Sequence, residues 1–338
     1  MSMSAAFIIE KDTVLCRRTP KGWQPLSIDF SADSDRNLPP YQLGCVELLE
    51  SLAPSHWQQS AHWQRDSSNS SISDEAVHPA NNAPAAYAIS YHYAKTNQLT
   101  LPTIRDDIES ISAAINQTDI QANDADDNGA INAFISYRQL LTQIPVALAD
   151  QISQAMQLLR WQADTQFCSR CGAAVCAADS GERAMVCSVC RLRQYPRVQP
   201  CVITAITRPN PKSGEMQILL AHHHRYGQTT LPLQYGLIAG FVEVGESLEH
   251  AVVREVFEEV GIRLSDIRYV SSQPWPFPSN LMLGFRASYD SGDLVLQEDE
   301  LSHADFFDLS NLPKIPFKGS IAYDLIAQIA EEQGVTLA

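Results

Sequence analysis

The clearest chemistry-bearing stretch of the sequence covers residues 240–262 and reads GFVEVGESLEHAVVREVFEEVGI. On a helix, at roughly 100° per residue, Glu255, Glu258 and Glu259 fall within about a third of the circumference. Three carboxylates this close repel one another and resist ionisation unless a cation neutralises them. Oxygen ligands of this kind suit Mg²⁺ or Mn²⁺. The stretch therefore predicts a divalent-cation site on one face of a helix.

Local signals bound that helix to residues 248–260, because Ser247 can cap its start and Gly261 suits a left-handed end. Arg254, four residues before Glu258, is placed to brace it through an ion pair. The opposite face is predicted to pack on a core through five apolar side chains: Val252, Val253, Val256, Phe257 and Val260. The alternative is an acidic helix face that is simply exposed to solvent. It does not explain why Gly240, the Arg254–Glu255 pair and the Glu-Glu-x-Gly ending occur together.

Two Cys-x-x-Cys pairs form a second constellation, in which fifteen residues separate Cys168 and Cys171 from Cys187 and Cys190. This spacing is typical of tetrahedral zinc. Four protein ligands leave no open position, so the sequence predicts a structural zinc ion. Cys176 could compete as a ligand, although a small, partly buried thiol is the favoured interpretation. Cys16, Cys45 and Cys201 are interpreted as small apolar residues.

The acidic stretch resembles the signature of the Nudix hydrolases, with every defined position filled. Downstream, Gln273-Pro274-Trp275-Pro276-Phe277-Pro278 resembles the signature of the NADH pyrophosphatase branch, whose members also remove NAD caps from RNA and carry a zinc ribbon. The resemblance implies an α/β/α sandwich and hydrolysis of NAD(H) to AMP and nicotinamide mononucleotide, with NAD-capped RNA as a larger substrate. It also implies a homodimer.

The same resemblance assigns site residues. Catalytic roles fall to Arg254, Glu255, Glu258 and Glu259, with Glu258 a third ligand or the base; the Mg²⁺ or Mn²⁺ ligands are the Ala239 backbone carbonyl, Glu255, Glu259 and Glu300. Glu298 and Asp299 adjoin Glu300 and leave open which carboxylate reaches the ion. Substrate contacts are Arg138, Glu182, Tyr195, Gln273, Pro274, Trp275, Pro276, Phe277, Pro278, Ser279, Asn280 and Ala322. Ser279 and Asn280 depart from the Gln-Ser that usually ends the branch signature.

Around these motifs the sequence predicts an α+β protein of three domains: an amino-terminal α+β domain over 1–165, a zinc ribbon over 166–197 and a Nudix domain over 198–338. Residues 7–15 and 86–94 alternate as half-buried strands, and 146–162 has helical spacing. Strands are expected at 201–207 and 217–221, with a closing helix at 321–331. Polar stretches at 67–84 and 118–130 indicate loops or insertions.

Composition limits the other functions. A formal net charge of −15 disfavours broad binding to nucleic acid or to anionic membranes. Neither a secretory signal nor an apolar run of about 20 residues is evident, so we expect a cytoplasmic protein without a membrane partner. Two alternatives remain: a Nudix hydrolase of ADP-ribose or another dinucleotide, and a nucleic-acid-binding ribbon using Arg191, Arg193 and Arg197. The run His222, His223 and His224 is interpreted as a polar strand end, because neighbouring strand residues point to opposite faces.

Overall fold

The computed structural model describes residues 4–30, 41–42, 87–104, 131–178, 182–227 and 232–337. The predicted insertions at 67–84 and 118–130 lie outside the described residues. Two compact units are present: the described residues up to Arg197 together with Pro276–Pro278, and the described parts of Val198–Trp275 and Ser279–Ala338. In the described part of the chain, no helix combines the length and apolar character needed to cross a membrane.

The first unit contains a seven-stranded sheet in which β3, β2, β1, β6 and β5 are successive neighbours, β4 pairs with β1, and β7 pairs with β2. Its core gathers Ala6, Ile8, Leu15, Ile89 and Phe134. The strands are β1 (Ser4–Glu10), β2 (Thr13–Thr19), β3 (Gly22–Pro25), β4 (Ser27–Phe30), β5 (Tyr41–Gln42), β6 (Tyr87–Ser90) and β7 (Asn132–Ser136). The helices are α1 (Tyr91–Thr96), α2 (Tyr137–Leu140) and α3 (Val146–Asp164).

Two strand predictions in this unit were wrong in extent. Residues 7–15 form a hairpin, because the chain turns at Lys11, whose φ is 54°, between β1 and β2. Residues 87–94, the described part of the predicted strand at 86–94, change from strand to helix at Ser90, whose hydroxyl accepts a hydrogen bond from the Tyr93 amide and caps α1. In both segments apolar residues keep alternating through the turn or the helix cap, so the pattern did not reveal the change of structure. The predicted helix at 146–162 is confirmed as α3.

Along the chain after α3, a small sheet is built from β8 (Val175–Ala177), β9 (Met185–Cys187) and β10 (Arg193–Gln194), with β9 central. These strands hold the loops that carry the cysteine pairs. The division into three domains is neither confirmed nor contradicted by the two-unit partition, and it stays a prediction.

The second unit is a six-stranded sheet in the order β14, β15, β11, β12 and β16, with β13 also paired to β11. A helix covers each face. Ile203 and Ala205 of β11 (Gln199–Pro209) pack under α5 (Ile321–Glu332). Ile206 of the same strand packs with Val256 under α4 (Leu248–Val260). Period-two alternation thus feeds two cores, which gives the predicted α/β/α sandwich. Its elements are β11 (Gln199–Pro209), β12 (Met216–His223), β13 (Ile238–Phe241), α4 (Leu248–Val260), β14 (Arg263–Trp275), β15 (Asn280–Ser291), β16 (Leu301–Asp308) and α5 (Ile321–Glu332).

Candidate active site

The acidic helix α4 begins and ends where its caps require. The Ser247 hydroxyl accepts a hydrogen bond from the His250 amide at 3.2 Å, and Gly261 adopts the left-handed conformation with φ of 74°. The predicted bounds of 248–260 are therefore confirmed, and the carboxylates are fixed in helical register.

The predicted packing face of α4 was partly wrong. Val252, Val256 and Val260 are fully buried, but Val253 and Phe257 are 42% and 54% exposed. The buried face is rotated toward the carboxylates and takes in Glu259, which is only 2% exposed. Tertiary packing therefore overrode the simple separation of apolar and acidic residues that the helical wheel suggested.

Gly240 allows β13 to approach this helix. A β-carbon added at Gly240 would lie 1.9 Å from the carboxyl carbon of Glu255, which is closer than any side chain tolerates. The glycine is thus required for space, since its backbone and the Glu255 carboxylate occupy adjoining positions. Neighbouring Ala239 makes a backbone hydrogen bond to the Glu259 carboxylate.

Arg254 organises the acidic side chains. Its guanidinium contacts Glu246 through Nε and Nη2 at 2.8 and 2.9 Å, and Nη1 lies 2.9 Å from both Glu255 and Glu258. Nη2 also donates to the Phe241 carbonyl at 2.8 Å, which ties the helix to β13. The predicted ion pair with Glu258 is confirmed. Hydrogen bonding from Arg254 lowers the pKa of Glu246 to about 2.

Glu259 experiences the opposite electrostatic environment. Burial raises its pKa to about 8, and the charges of Glu300 and Glu255 add to this rise. Burial also raises the pKa of Glu255, against the hydrogen bond from Arg254. A carboxylate held in this way is poorly stabilised as an anion by the protein alone, and a bound cation would favour its charged form.

His223 faces this cluster, although no role was predicted for it from sequence. Its Nε2 lies 4.0 Å from Glu259 Oε2, and desolvation by burial lowers its pKa to about 3. β12 ends at His223, so the predicted strand end is confirmed, but the His222 and His223 side chains are buried, being only 1% and 2% exposed. They do point to opposite faces, with His222 against the Gln234 carbonyl, but both faces of this sandwich are covered. His224 is exposed, as expected of a strand end.

Nitrogen and oxygen donors lie close together in this cluster. His223, Glu259 and Glu300 each offer one donor atom, and these three atoms all lie within 4.8 Å of one another. Among the described residues Glu259 Oε2 has no hydrogen-bond partner despite its burial. The Glu255 carboxylate lies beside Gly240, and its negative charge acts on Glu259. Carboxylates with an unsatisfied buried oxygen fit Mg²⁺ or Mn²⁺ well.

The four predicted zinc cysteines come together in the structure. Sulfur–sulfur distances are 3.6 Å for Cys168 and Cys190, 3.5 Å for Cys171 and Cys187, and 3.6 Å for Cys171 and Cys190. Tetrahedral zinc with Zn–S bonds of about 2.3 Å places sulfurs about 3.8 Å apart. Backbone amides of Cys190 and Val189 lower the pKa of Cys187 to about 6, which favours the thiolate. The cluster therefore fits the predicted ion.

The remaining cysteines lie outside the cluster. Cys176 is exposed, and its sulfur contacts the Val186 carbonyl at 3.7 Å; the favoured interpretation of a partly buried thiol was wrong in burial. Cys16 and Cys201 are buried, as small apolar residues would be, and Cys45 is outside the described residues.

Two predicted substrate contacts, Glu182 and Tyr195, meet within the predicted ribbon. The Tyr195 hydroxyl donates to Glu182 at 2.9 Å, and Arg193 forms an ion pair with the other oxygen of Glu182 at 2.6 Å. The hydrogen bond with Glu182 raises the pKa of Tyr195. Because Glu182 balances Arg193, one charge of the basic run is already neutralised locally, and this weakens the alternative of a phosphate-binding ribbon.

The aromatic-proline segment divides between the two units. In the second unit, buried Gln273 donates to the Gly319 carbonyl at 2.9 Å and accepts from the Ile321 amide at 2.8 Å. Its amide thus holds the start of α5. Trp275 stacks on Phe317 with ring centroids 6.3 Å apart. Ala322 belongs to α5 and is buried in the core on that side of the sheet.

In the first unit, the guanidinium of Arg138 lies 4.1 Å from the ring centroid of Phe277. The structure therefore brings these two predicted contacts together. Arg160 of α3 donates to the carbonyls of Pro276 and Pro278 at 2.7 Å each, and it also pairs with Asp12. Sequence reasoning missed Arg160, since no local pattern links a mid-helix arginine to a distant loop.

The other segment residues are positioned mainly by backbone. Pro274 and Trp275 pair with Leu281 and Asn280 across the β14–β15 hairpin, and the Ser279 carbonyl accepts from the Gln199 amide at 2.9 Å. Asn280 is 8% exposed. The hairpin thus holds Trp275 and Asn280 at one end of the sheet.

Comparison with known proteins adds family evidence. Residues 199–328 match the NUDIX domain, and residues 163–195 match the NADH pyrophosphatase zinc ribbon domain. The chain is similar to the NAD-capped RNA hydrolase NudC of Klebsiella pneumoniae strain 342, with 46% identity over 56% of this chain and 70% of that protein. The protein of the same name from Photobacterium profundum is 48% identical, over 57% of this chain and 68% of that protein. A crystal structure of a NUDIX hydrolase from Nitrosomonas europaea aligns at 23% identity and a TM-score of 0.40, over 50% of this chain and 94% of that one.

Proposed function

We infer that this chain, which belongs to the NAD-capped RNA hydrolase family of Nudix proteins, hydrolyses the pyrophosphate bond of NAD(H) and removes NAD caps from RNA. The products from the dinucleotide are AMP and nicotinamide mononucleotide. One observation carries the chemistry: the Glu259 carboxylate is buried beside Glu255 and Glu300, with one oxygen lacking a hydrogen bond in the described structure. Such a group suits cation-assisted hydrolysis.

Glu255, Glu259, Glu300 and the Ala239 carbonyl are proposed to hold Mg²⁺ or Mn²⁺. When bound, the cation supplies Lewis acidity toward pyrophosphate oxygens and lowers the pKa of a coordinated water. The protein's own contribution is preorganisation. Arg254 fixes Glu255 and Glu258 by hydrogen bonds of 2.9 Å, so both carboxylates keep one orientation before substrate arrives.

Glu258 is proposed as the base or as a third carboxylate ligand. Its side chain is 53% exposed, so solvent reaches it, unlike buried Glu259. Removal of Glu258 tests the base assignment through the pH profile of turnover. A carboxylate that serves only as a ligand would change cation affinity more than the pH profile.

Recognition of the dinucleotide is assigned to aromatic and polar groups. Trp275 and Phe277 are proposed to contact a planar base, and the Arg138 guanidinium lies 4.1 Å from the ring centroid of Phe277. Glu182, Tyr195, Gln273, Pro274, Pro276, Pro278, Ser279, Asn280 and Ala322 remain proposed substrate contacts. The zinc ion is proposed to be structural, since all four of its positions are filled by cysteine.

A substrate panel tests the function. The purified protein is incubated with NADH, NAD⁺, ADP-ribose and NAD-capped RNA at matched concentrations, with Mg²⁺ or Mn²⁺, and AMP or decapped RNA is measured. Release of AMP from NADH is expected. Cleavage of ADP-ribose alone would replace this proposal by the other Nudix activity. We further propose a cytoplasmic homodimer, which light scattering on the purified protein and cell fractionation would test.

A further inference from the structure

The distance between His223 and Glu259 suits two ligands of one ion better than a direct hydrogen bond. At 4.0 Å, Nε2 and Oε2 are beyond hydrogen-bonding range. Donors bound to a small divalent cation at about 2.1 Å lie roughly 3 Å apart when adjacent and roughly 4.2 Å apart when opposite. The observed separation falls within this window. Glu300 supplies a third donor atom to the same group.

A local irregularity in β12 contributes to this placement. The pairing of β12 with β16 shifts register between His222 and His223, so that His222 opposes His303 and His223 opposes Leu301. Such bulges redirect side chains and occur beside active sites. The result is an imidazole, 2% exposed, set next to a carboxylate with the same 2% exposure. One oxygen of that carboxylate, Glu259 Oε2, lacks a hydrogen bond within the described structure.

We propose that His223 is a nitrogen ligand of the divalent cation that Glu259 and Glu300 hold. This inference rests on the proposed cation-dependent function and gives it a metal preference. Carboxylate and carbonyl oxygens serve Mg²⁺ and Mn²⁺ alike, whereas imidazole favours transition metals over Mg²⁺. His223 therefore shifts the site toward Mn²⁺.

Pulsed electron paramagnetic resonance of the full-length, zinc-loaded protein with Mn²⁺ and no nucleotide tests the assignment. Wild-type protein is expected to show ¹⁴N coupling from a directly bound imidazole, and His223→Asn is expected to lose it. His250→Gln is the matched control, since His250 lies on α4 with its ring exposed and 3.8 Å from Glu246, outside the proposed ligand set. It should retain the signal. Wild-type protein that binds Mn²⁺ without nitrogen coupling would overturn the proposal, whether or not any variant folds.

Affinity provides the second measurement. In His223→Asn, an amide oxygen replaces the ring nitrogen, so Mn²⁺ binding should weaken by about tenfold or more, while Mg²⁺ binding changes less. An equal loss for both ions would indicate a structural role and would contradict the proposal. Since binding is measured without substrate, a failure to hydrolyse NADH would count against the proposed function and leave the ligand result interpretable.

Discussion

Replacing Glu259 by glutamine should abolish turnover and also make the cation-free fold more stable at alkaline pH. The Glu259 pKa is about 8 in the folded protein, against an ordinary 4.5. Between these values the folded state binds more protons than the unfolded state, so its stability falls as pH rises from about 4.5 to 8. The difference corresponds to about 5 kcal/mol at 1.36 kcal/mol per pKa unit. Glutamine has no charge to bury and removes this loss.

Local relaxation reduces the gain, because buried sites behave as if their dielectric constant were about 20; we expect about 2–3 kcal/mol at pH 8.5. The measurement is native-state hydrogen exchange of peptides covering β13 and α4, at pH 5.5 and 8.5, with zinc retained and no Mg²⁺ or Mn²⁺ added. The excess protection of Glu259→Gln over the wild type should be larger at pH 8.5 than at pH 5.5. Added Mn²⁺ should close the gap by stabilising the wild type through binding.

Glu258→Gln is the matched control, because it removes a carboxylate from the same helix at a position that is 53% exposed. Loss of its surface ion pair with Arg254 should cost no more than about 1 kcal/mol. Equal or lower protection in Glu259→Gln at pH 8.5 would refute the reasoning that burial without a cation destabilises this carboxylate.

Three further outcomes are expected. Gly240→Ala should displace the Glu255 carboxylate, which a β-carbon would meet at 1.9 Å; cation affinity measured by calorimetry should fall about tenfold or more, with the far-ultraviolet circular dichroism unchanged. Cys187→Ser should lose the zinc ion by atomic absorption, because one of four ligands is replaced by a poor one. Gln273→Leu should lower the free energy of unfolding of the second unit by about 1–3 kcal/mol in hydrogen exchange of α5, since two buried backbone groups lose their partner.

The Gly240 and Cys187 variants each have their own control. Gly214→Ala adds a β-carbon that meets no neighbour within 4 Å; its φ of 76° strains only the local turn, so cation affinity should stay at the wild-type value. Cys176→Ser should keep full zinc occupancy, since its sulfur is outside the cluster. Unchanged cation affinity in the Gly240 variant, full zinc in Cys187→Ser, or unaltered exchange in Gln273→Leu would each contradict the corresponding interpretation of the contacts.

Much of the fold was predictable where the signal is local. Ser247 and Gly261 bound α4 correctly because helix caps depend on a few neighbouring residues. The sandwich was implied by the resemblance to the Nudix hydrolases, and the structure confirms it with a core on each side of the sheet. Errors arose where apolar alternation ran through a turn or a cap, as at Lys11 and Ser90. Alternation records burial and does not record a change of direction.

Local patterns in the chain identify residues that can bind cations, because helical spacing sets the carboxylates on α4 and short loops set the paired cysteines. How those groups behave depends on tertiary packing. Glu259 is buried and Glu258 exposed because the sheet covers one side of α4, and His223 approaches Glu259 from strand β12. Burial, and the pKa shift that follows from it, depends on packing between elements far apart in sequence, which local spacing does not encode.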